Sequence, residues 1–162
     1  MYVLIYTEPM ALRFDSLEQL LAASRAELGR TDWVTVSQDD VASFADATRA
    51  HEWIHTDPER AAREGPFGTA VAHGYLTLAL ATHFQTQLLQ SPPGFVGINY
   101  GLERVRFPAP VPVGSRVRAL GELVGATPFA AGARTLVRLT YECDATEKSP
   151  CVADVVSLVV PT

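Results

Sequence analysis

His73-Gly-Tyr-Leu-Thr-Leu-Ala-Leu-Ala-Thr-His-Phe-Gln-Thr-Gln-Leu-Leu89 is the stretch on which the fold turns. It is apolar nearly all round, and helices of that kind are enclosed by the rest of their fold. It lies within residues 65–102, which contain no Asp, Glu, Lys or Arg. Gly65-Pro-Phe-Gly68 precedes it as a loop. Pro92-Pro-Gly94 ends it, because proline lacks the helix N–H and clashes with the preceding turn. Gly, Pro, His, Gln and Asn interrupt the segment, and no run of ~18 apolar residues occurs. It therefore reads as the buried centre of a soluble protein, and no membrane partner is expected.

Downstream of that helix the pattern changes to period 2, the repeat of a strand with one buried face. Val137, Leu139, Tyr141 and Cys143 alternate with Arg138, Thr140 and Glu142, and Val117, Ala119 and Leu123 alternate with Arg116, Arg118 and Glu122. Three or four long antiparallel strands are expected over about residues 96–160. Upstream, Asp15-Ser-Leu-Glu18 predicts a helix through about Leu28, with Leu17, Leu20, Leu21 and Leu28 on one face and Gly29 as its stop. Trp33-Val-Thr-Val36 reads as a short strand. Ser37-Gln-Asp-Asp40 resembles a capping box opening a helix that carries Val41, Phe44, Ala45 and Thr48. A further short helical turn is expected at 58–62. One enclosed helix and a long antiparallel sheet make an α+β layout, with the sheet wrapped around the central apolar helix.

The chain has 162 residues, the size of one domain, with no repeat and no linker between domains. Apolar residues make up 48% and charged residues 19%, which excludes disorder. The net charge of −5 argues against nucleic acid as a partner, since phosphate binders cluster a basic surplus. Cys143 and Cys151 form no CxxC pair, and two free core thiols suit a cytoplasmic protein. Residues 1–11 read as an N-terminal extension and 12–162 as the domain, with Tyr2-Val-Leu-Ile-Tyr6 either part of an upstream extension ahead of Met10 or an added edge strand. No nucleotide-phosphate loop or cofactor fingerprint occurs, so no cofactor is expected.

Two places concentrate groups able to do chemistry. His55 lies in His51-Glu-Trp-Ile-His-Thr-Asp-Pro58, expected as a loop between a helix and a Pro-initiated turn. The His51-Glu52-x-x-His55 spacing imitates a zinc signature only in part, because the context is not helical, and no metal is expected. On residue type alone, His55 is either a hydrogen-bonded structural histidine or a base. Ala72-His73-Gly74-Tyr75 opens the central helix, where free N–H groups and the helix dipole stabilise a developing oxyanion. Alternatively, Gly74 permits close helix–sheet packing and His73 caps or packs.

Three segments in order carry a family resemblance. Phe44-Ala-Asp-Ala-Thr-Arg-Ala-His-Glu-Trp-Ile-His-Thr-Asp-Pro-Glu-Arg-Ala61 resembles the hydratase motif of the MaoC-like family, the (R)-specific enoyl-CoA hydratases with a hot-dog fold. Gly65-Pro-Phe-Gly-Thr-Ala-Val-Ala-His-Gly-Tyr-Leu-Thr-Leu78 resembles its second signature. Asn99 to Val117, with Arg104-Val-Arg-Phe-Pro-Ala-Pro-Val-Pro-Val113 at its centre, resembles its third. The match spans about residues 12–160 and is most like the single-domain, NodN-like branch. It implies a hot-dog domain that adds water syn across a trans-2-enoyl thioester of coenzyme A or a carrier protein, giving a (3R)-3-hydroxyacyl thioester. It also implies a homodimer.

In that family an Asp and a His hold the reacting water, and an N–H at a His-Gly step polarises the thioester carbonyl. The His falls on His55 and the oxyanion glycine on Gly74, beside His73. A hydroxyl-bearing helix residue falls near Thr82, and Asp57 matches an acidic position of structural character. The departure is at the Asp: that position is Ala50, and the preceding glycine is Arg49. Three readings follow. Ala50 is an engineered substitution made to trap a ligand; or another carboxylate, Glu52 or Asp46, substitutes; or the chain has diverged into a protein that binds or modifies another thioester or apolar ligand. A hot-dog thioesterase would need a carboxylate on the central helix, and residues 65–102 offer none.

Overall fold

The computed structural model describes residues 11–162, and the stretch 2–6 with both of its readings, like nearly all of the 1–11 extension, lies outside them. The chain runs β1 (Leu12–Arg13), α1 (Leu17–Ala22), β2 (Ala26–Arg30), β3 (Val34–Thr35), α2 (Gln38–Thr48), α3 (Trp53–Thr56) and α4 (Pro58–Glu64). It continues as α5 (Gly74–Ala79), α6 (Ala81–Leu88), β4 (Leu89–Gln90), β5 (Phe95–Arg106), β6 (Arg116–Phe129), β7 (Gly132–Cys143) and β8 (Val152–Pro161). The main sheet has the order β2-β6-β7-β8-β5, with β3 also on β6, and all its pairings are antiparallel. It curves over α5 and α6, the α+β arrangement that the alternating strands predict.

Alternation sorts the two faces. Val117, Ala119, Leu123, Val137, Leu139 and Tyr141 are sealed against the helix, where they meet Phe84 and Leu88. The Tyr141 hydroxyl reaches the Leu78 carbonyl at 3.4 Å, and burial pushes its pKa upward. Gly121 makes the close approach possible: a Cβ there would meet Leu88 Cδ1 at 2.7 Å. The opposite face carries charge pairs, among them Arg118 to Glu142 at 2.6 Å and Arg138 to both oxygens of Asp154 at 2.7 and 2.9 Å. These pairs are partly covered, and Asp154 is buried beneath its arginine. Cys143 and Cys151 are both buried and free.

Ser37 caps α2 with the predicted box, accepting from the Asp40 N–H while Asp40 accepts from the Ser37 N–H at 2.8 Å. Asp57 caps α4 by accepting from the Arg60 N–H at 3.0 Å. Four expectations need correction. The helix expected from Asp15 to Leu28 stops at Ala22, because Arg25 turns through φ 51° and Leu28 buries itself in β2, paired with β6. The helix expected as one piece over 73–89 is interrupted at Leu80. Nor is it enclosed all round: the sheet covers one side, and Tyr75 on the other is 73% exposed. Finally, the charge-free segment ends in β5, whose Val96, Ile98 and Tyr100 are exposed.

Among the described residues, no helix is long and apolar enough to cross a membrane.

Candidate active site

His55 sits on α3, a single helical turn rather than the expected loop. Two hydrogen bonds tie that turn to the chain ahead of the central helix: Val71 N–H donates to Ile54 O at 3.2 Å, and His55 Nδ1 donates to Val71 O at 2.7 Å. A carbonyl oxygen only accepts, so Nδ1 is the donor in this bond, which fixes the ring and leaves Nε2 as the nitrogen available for chemistry. Gln38 Nε2 holds the His55 carbonyl at 2.9 Å from α2. Opposite runs 107–112, fixed where Ala72 N–H donates to Val111 O at 2.8 Å.

Between these segments lies a groove of about 330 Å³ that includes Ile54, His55, Val71, Gly74, Thr77 and Phe107. Gly74 begins α5, and its N–H has no acceptor among the described residues, as expected of a first helical residue. The Phe107 ring packs over Gly74, where a Cβ would sit in van der Waals contact with it at 3.4 Å. Phe107 and the prolines after it escaped the sequence reading as site residues, because only the bridge of Val71 to Pro112 folds them over the helix start.

His73 is not at the groove surface. It is 6% exposed, its Nε2 donates to Ala50 O at 2.8 Å, and its ring lies 3.9 Å from the His55 ring with a 31° tilt. Nδ1 is buried without a partner. Burial holds the His73 pKa below the ordinary value of about 6.5, outweighing the carbonyl bond that raises it. The unfolded chain therefore binds a proton here at a pH where the folded chain does not, so stability falls as pH drops below ~6.5. Urea unfolding between pH 7.5 and 5.5 should show that loss, and His73→Gln should reduce it.

The expected residues separate into two groups. One donor atom from each of Glu52, His55 and His73 lies within 4.8 Å of the others, although Glu52 itself is exposed. A single water bonded to two such atoms at ~2.8 Å each spans about that separation. Three converging donors also describe a metal site, and the carbonyl bond on one nitrogen of each histidine leaves the other nitrogen free to ligate. Ala50 adjoins the group through its carbonyl and contributes only a methyl. Asp46 points elsewhere, with His51 3.7 Å away. Thr82 is separate too: its hydroxyl donates to Ala79 O at 2.9 Å, and it lines a second cavity of about 350 Å³ with Gln85, Asn99 and Ser157.

A long antiparallel sheet around a helix, with a histidine turn packed against the helix start, is the hot-dog arrangement. The chain belongs to the MaoC-like domain family, whose model matches residues 21–144. It is 51% identical over 142 residues to 3-hydroxyacyl-thioester dehydratase Z of Mycobacterium tuberculosis (strain CDC 1551 / Oshkosh), covering 87% of this chain and 93% of that one. It is 48% identical over 117 residues to nodulation protein N of Rhizobium leguminosarum bv. viciae, covering 72% and 71%. Among solved structures, a monoamine oxidase regulatory protein from Archaeoglobus fulgius superposes with a TM-score of 0.76 at 25% identity, over 94% of this chain and 99% of that one. The unliganded R-hydratase PhaJ1 from Pseudomonas aeruginosa shares the fold, with a TM-score of 0.73 at 20% identity over 91% and 87%.

Proposed function

We propose that the chain adds water reversibly to a trans-2-enoyl thioester, giving a (3R)-3-hydroxyacyl thioester, with His55 as the base. The observation that carries this reading is the His55 imidazole, oriented by its Nδ1–H bond to the Val71 carbonyl and lining the groove with its other nitrogen left over for a substrate or water. The hydroxyacyl-thioester dehydratase to which the chain is 51% identical supports the same chemistry.

The thioester carbonyl lies towards the Gly74 N–H, which withdraws charge as the enolate forms. His55 Nε2 takes a proton from water as the water oxygen bonds to C3. The imidazolium then returns that proton to C2 on the same face, which makes the addition syn and balances the step. The Glu52 carboxylate accepts the water's other hydrogen and steadies the imidazolium, the work of the family's Asp at a different position. The test is the loss of conjugated-thioester absorbance from a short trans-2-enoyl-CoA, with chiral analysis of the product. Steady turnover to the (3R) product supports the reading. Saturable binding without turnover supports the alternative, a diverged binder, which the methyl at position 50 favours.

The same reading includes a homodimer. Strand β5 pairs only with β8 among the described residues, and it presents Val96, Ile98, Tyr100 and Leu102 to solvent. Long apolar edges of this kind are stable when another strand covers them. A dimer joined edge to edge there is expected to sediment at twice the chain mass, and Ile98→Lys with Tyr100→Lys to sediment as a monomer.

A further inference from the structure

We propose that His73 is a positioning residue, a neutral imidazole that sets residue 50 and His55 from behind the site, and this rests on the hydratase reading above. Residue 50 follows Arg49, where the chain leaves α2 in the left-handed conformation. Its direction is then fixed by two bonds: its own N–H to Ala45 O at 3.1 Å, and the His73 donor to its carbonyl at 2.8 Å. The same imidazole backs the His55 ring at 3.9 Å. It is also the residue before Gly74, and its carbonyl accepts from the N–H and the hydroxyl of Thr77 at 3.1 and 3.3 Å. One side chain thus joins the three segments that carry positions 50, 55 and 74.

The unpartnered Nδ1 separates this role from plain packing. A leucine would fill the space with no orphaned acceptor, so the imidazole is distinguished by its Nε2–H and the bond to residue 50. That bond needs Nε2 protonated, and burial without an acceptor at Nδ1 keeps the second proton off. The groups that face the ring are His55, Glu52 and His51, with the Phe44 ring 5.2 Å away. A neutral His73 therefore adds no positive charge beside His55 when His55 takes its proton.

Two measurements test the assignment, and the first does not depend on turnover. In protein labelled with ¹⁵N-histidine, His73 should be a single neutral tautomer with Nε2–H at pH 6.0, and at about pH 8.5, where ordinary imidazoles are neutral, His55 should be a single tautomer with Nδ1–H. His73→Leu should leave the chain folded but mix the His55 tautomers, and His73→Gln, which keeps an N–H donor, should restore them. The second measurement is kinetic: His73→Leu should lower kcat about 10²-fold, the scale of a misplaced reacting group, with KM changed less than about twofold. His73→Gln should recover most of that. A half-protonated His73 at pH 6.5 in the unaltered protein overturns the proposal. So does a folded His73→Leu whose His55 tautomer is unchanged. If no variant turns over, the hydratase reading fails, while the tautomer result still decides the role of His73.

Discussion

Ala50→Asp should raise the rate of hydration of a short trans-2-enoyl-CoA about 10²–10⁴-fold above the unaltered chain, the usual contribution of one positioned acid or base. The reason is geometric. Residue 50 is held by its carbonyl to His73, whose ring is stacked on His55. A carboxylate on that backbone starts beside the base it must serve, and its carbonyl anchor does not involve the side chain being changed. Glu52, by contrast, reaches the group from an exposed position, where rotamer freedom and solvent weaken its hold on a water. The change is best made with Arg49→Gly. Arg49 takes φ 65° as the C-cap of α2, a conformation that favours glycine. Arg49→Gly alone should stabilise the fold by about 1 kcal/mol in urea unfolding, because the strain relieved exceeds the small loss of the exposed Arg49 bond to the Asp46 carbonyl. An Ala50→Asp protein no faster than the parent would show that position 50 does not address the reacting water.

His55→Ala should abolish what turnover the chain has, by about 10²–10⁴-fold or to the detection limit. Its effect on stability should be small by comparison. His55 is partly exposed at the groove, its bond to Val71 O is single, and the Ile54 carbonyl still receives the Val71 N–H when the imidazole is gone. Binding of the thioester should persist, since the groove wall of Phe107 and the prolines after it remains. Loss of kcat with KM nearly unchanged is therefore the expected pattern, read from initial rates over a substrate series. His55→Asn, which keeps a polar group of similar size but no base, should be as inactive as His55→Ala.

How much of this was legible in the sequence differs by element. The capping box at Ser37 and Asp40 and the alternation at Val137 to Cys143 are local patterns, and both reappear as expected. Leu17, Leu20, Leu21 and Leu28 also look like one helical face, but Leu28 satisfies a strand equally well. What decided it was a pairing with β6, over ninety residues away, that periodicity does not contain. Exposure along β5 and on the far side of α5 and α6 was illegible for a related reason. A stretch without charges does not record which of its faces is covered, and in this chain the sheet covers only one side of the helices. At the site, His55 and Gly74 stand out through their motifs. The link from His73 to Ala50 spans 23 residues and the groove wall comes from 107–112, so both exist only once the chain is folded.

The central claim is that His55 acts as the base of a thioester hydratase. It is tested most directly by following one trans-2-enoyl-CoA, by loss of its conjugated absorbance, with the unaltered chain, His55→Ala and Ala50→Asp side by side. The account predicts measurable turnover by the unaltered chain, none by His55→Ala, and the fastest reaction by Ala50→Asp. Equal turnover by the unaltered chain and His55→Ala, or no reaction from any of the three, would contradict it.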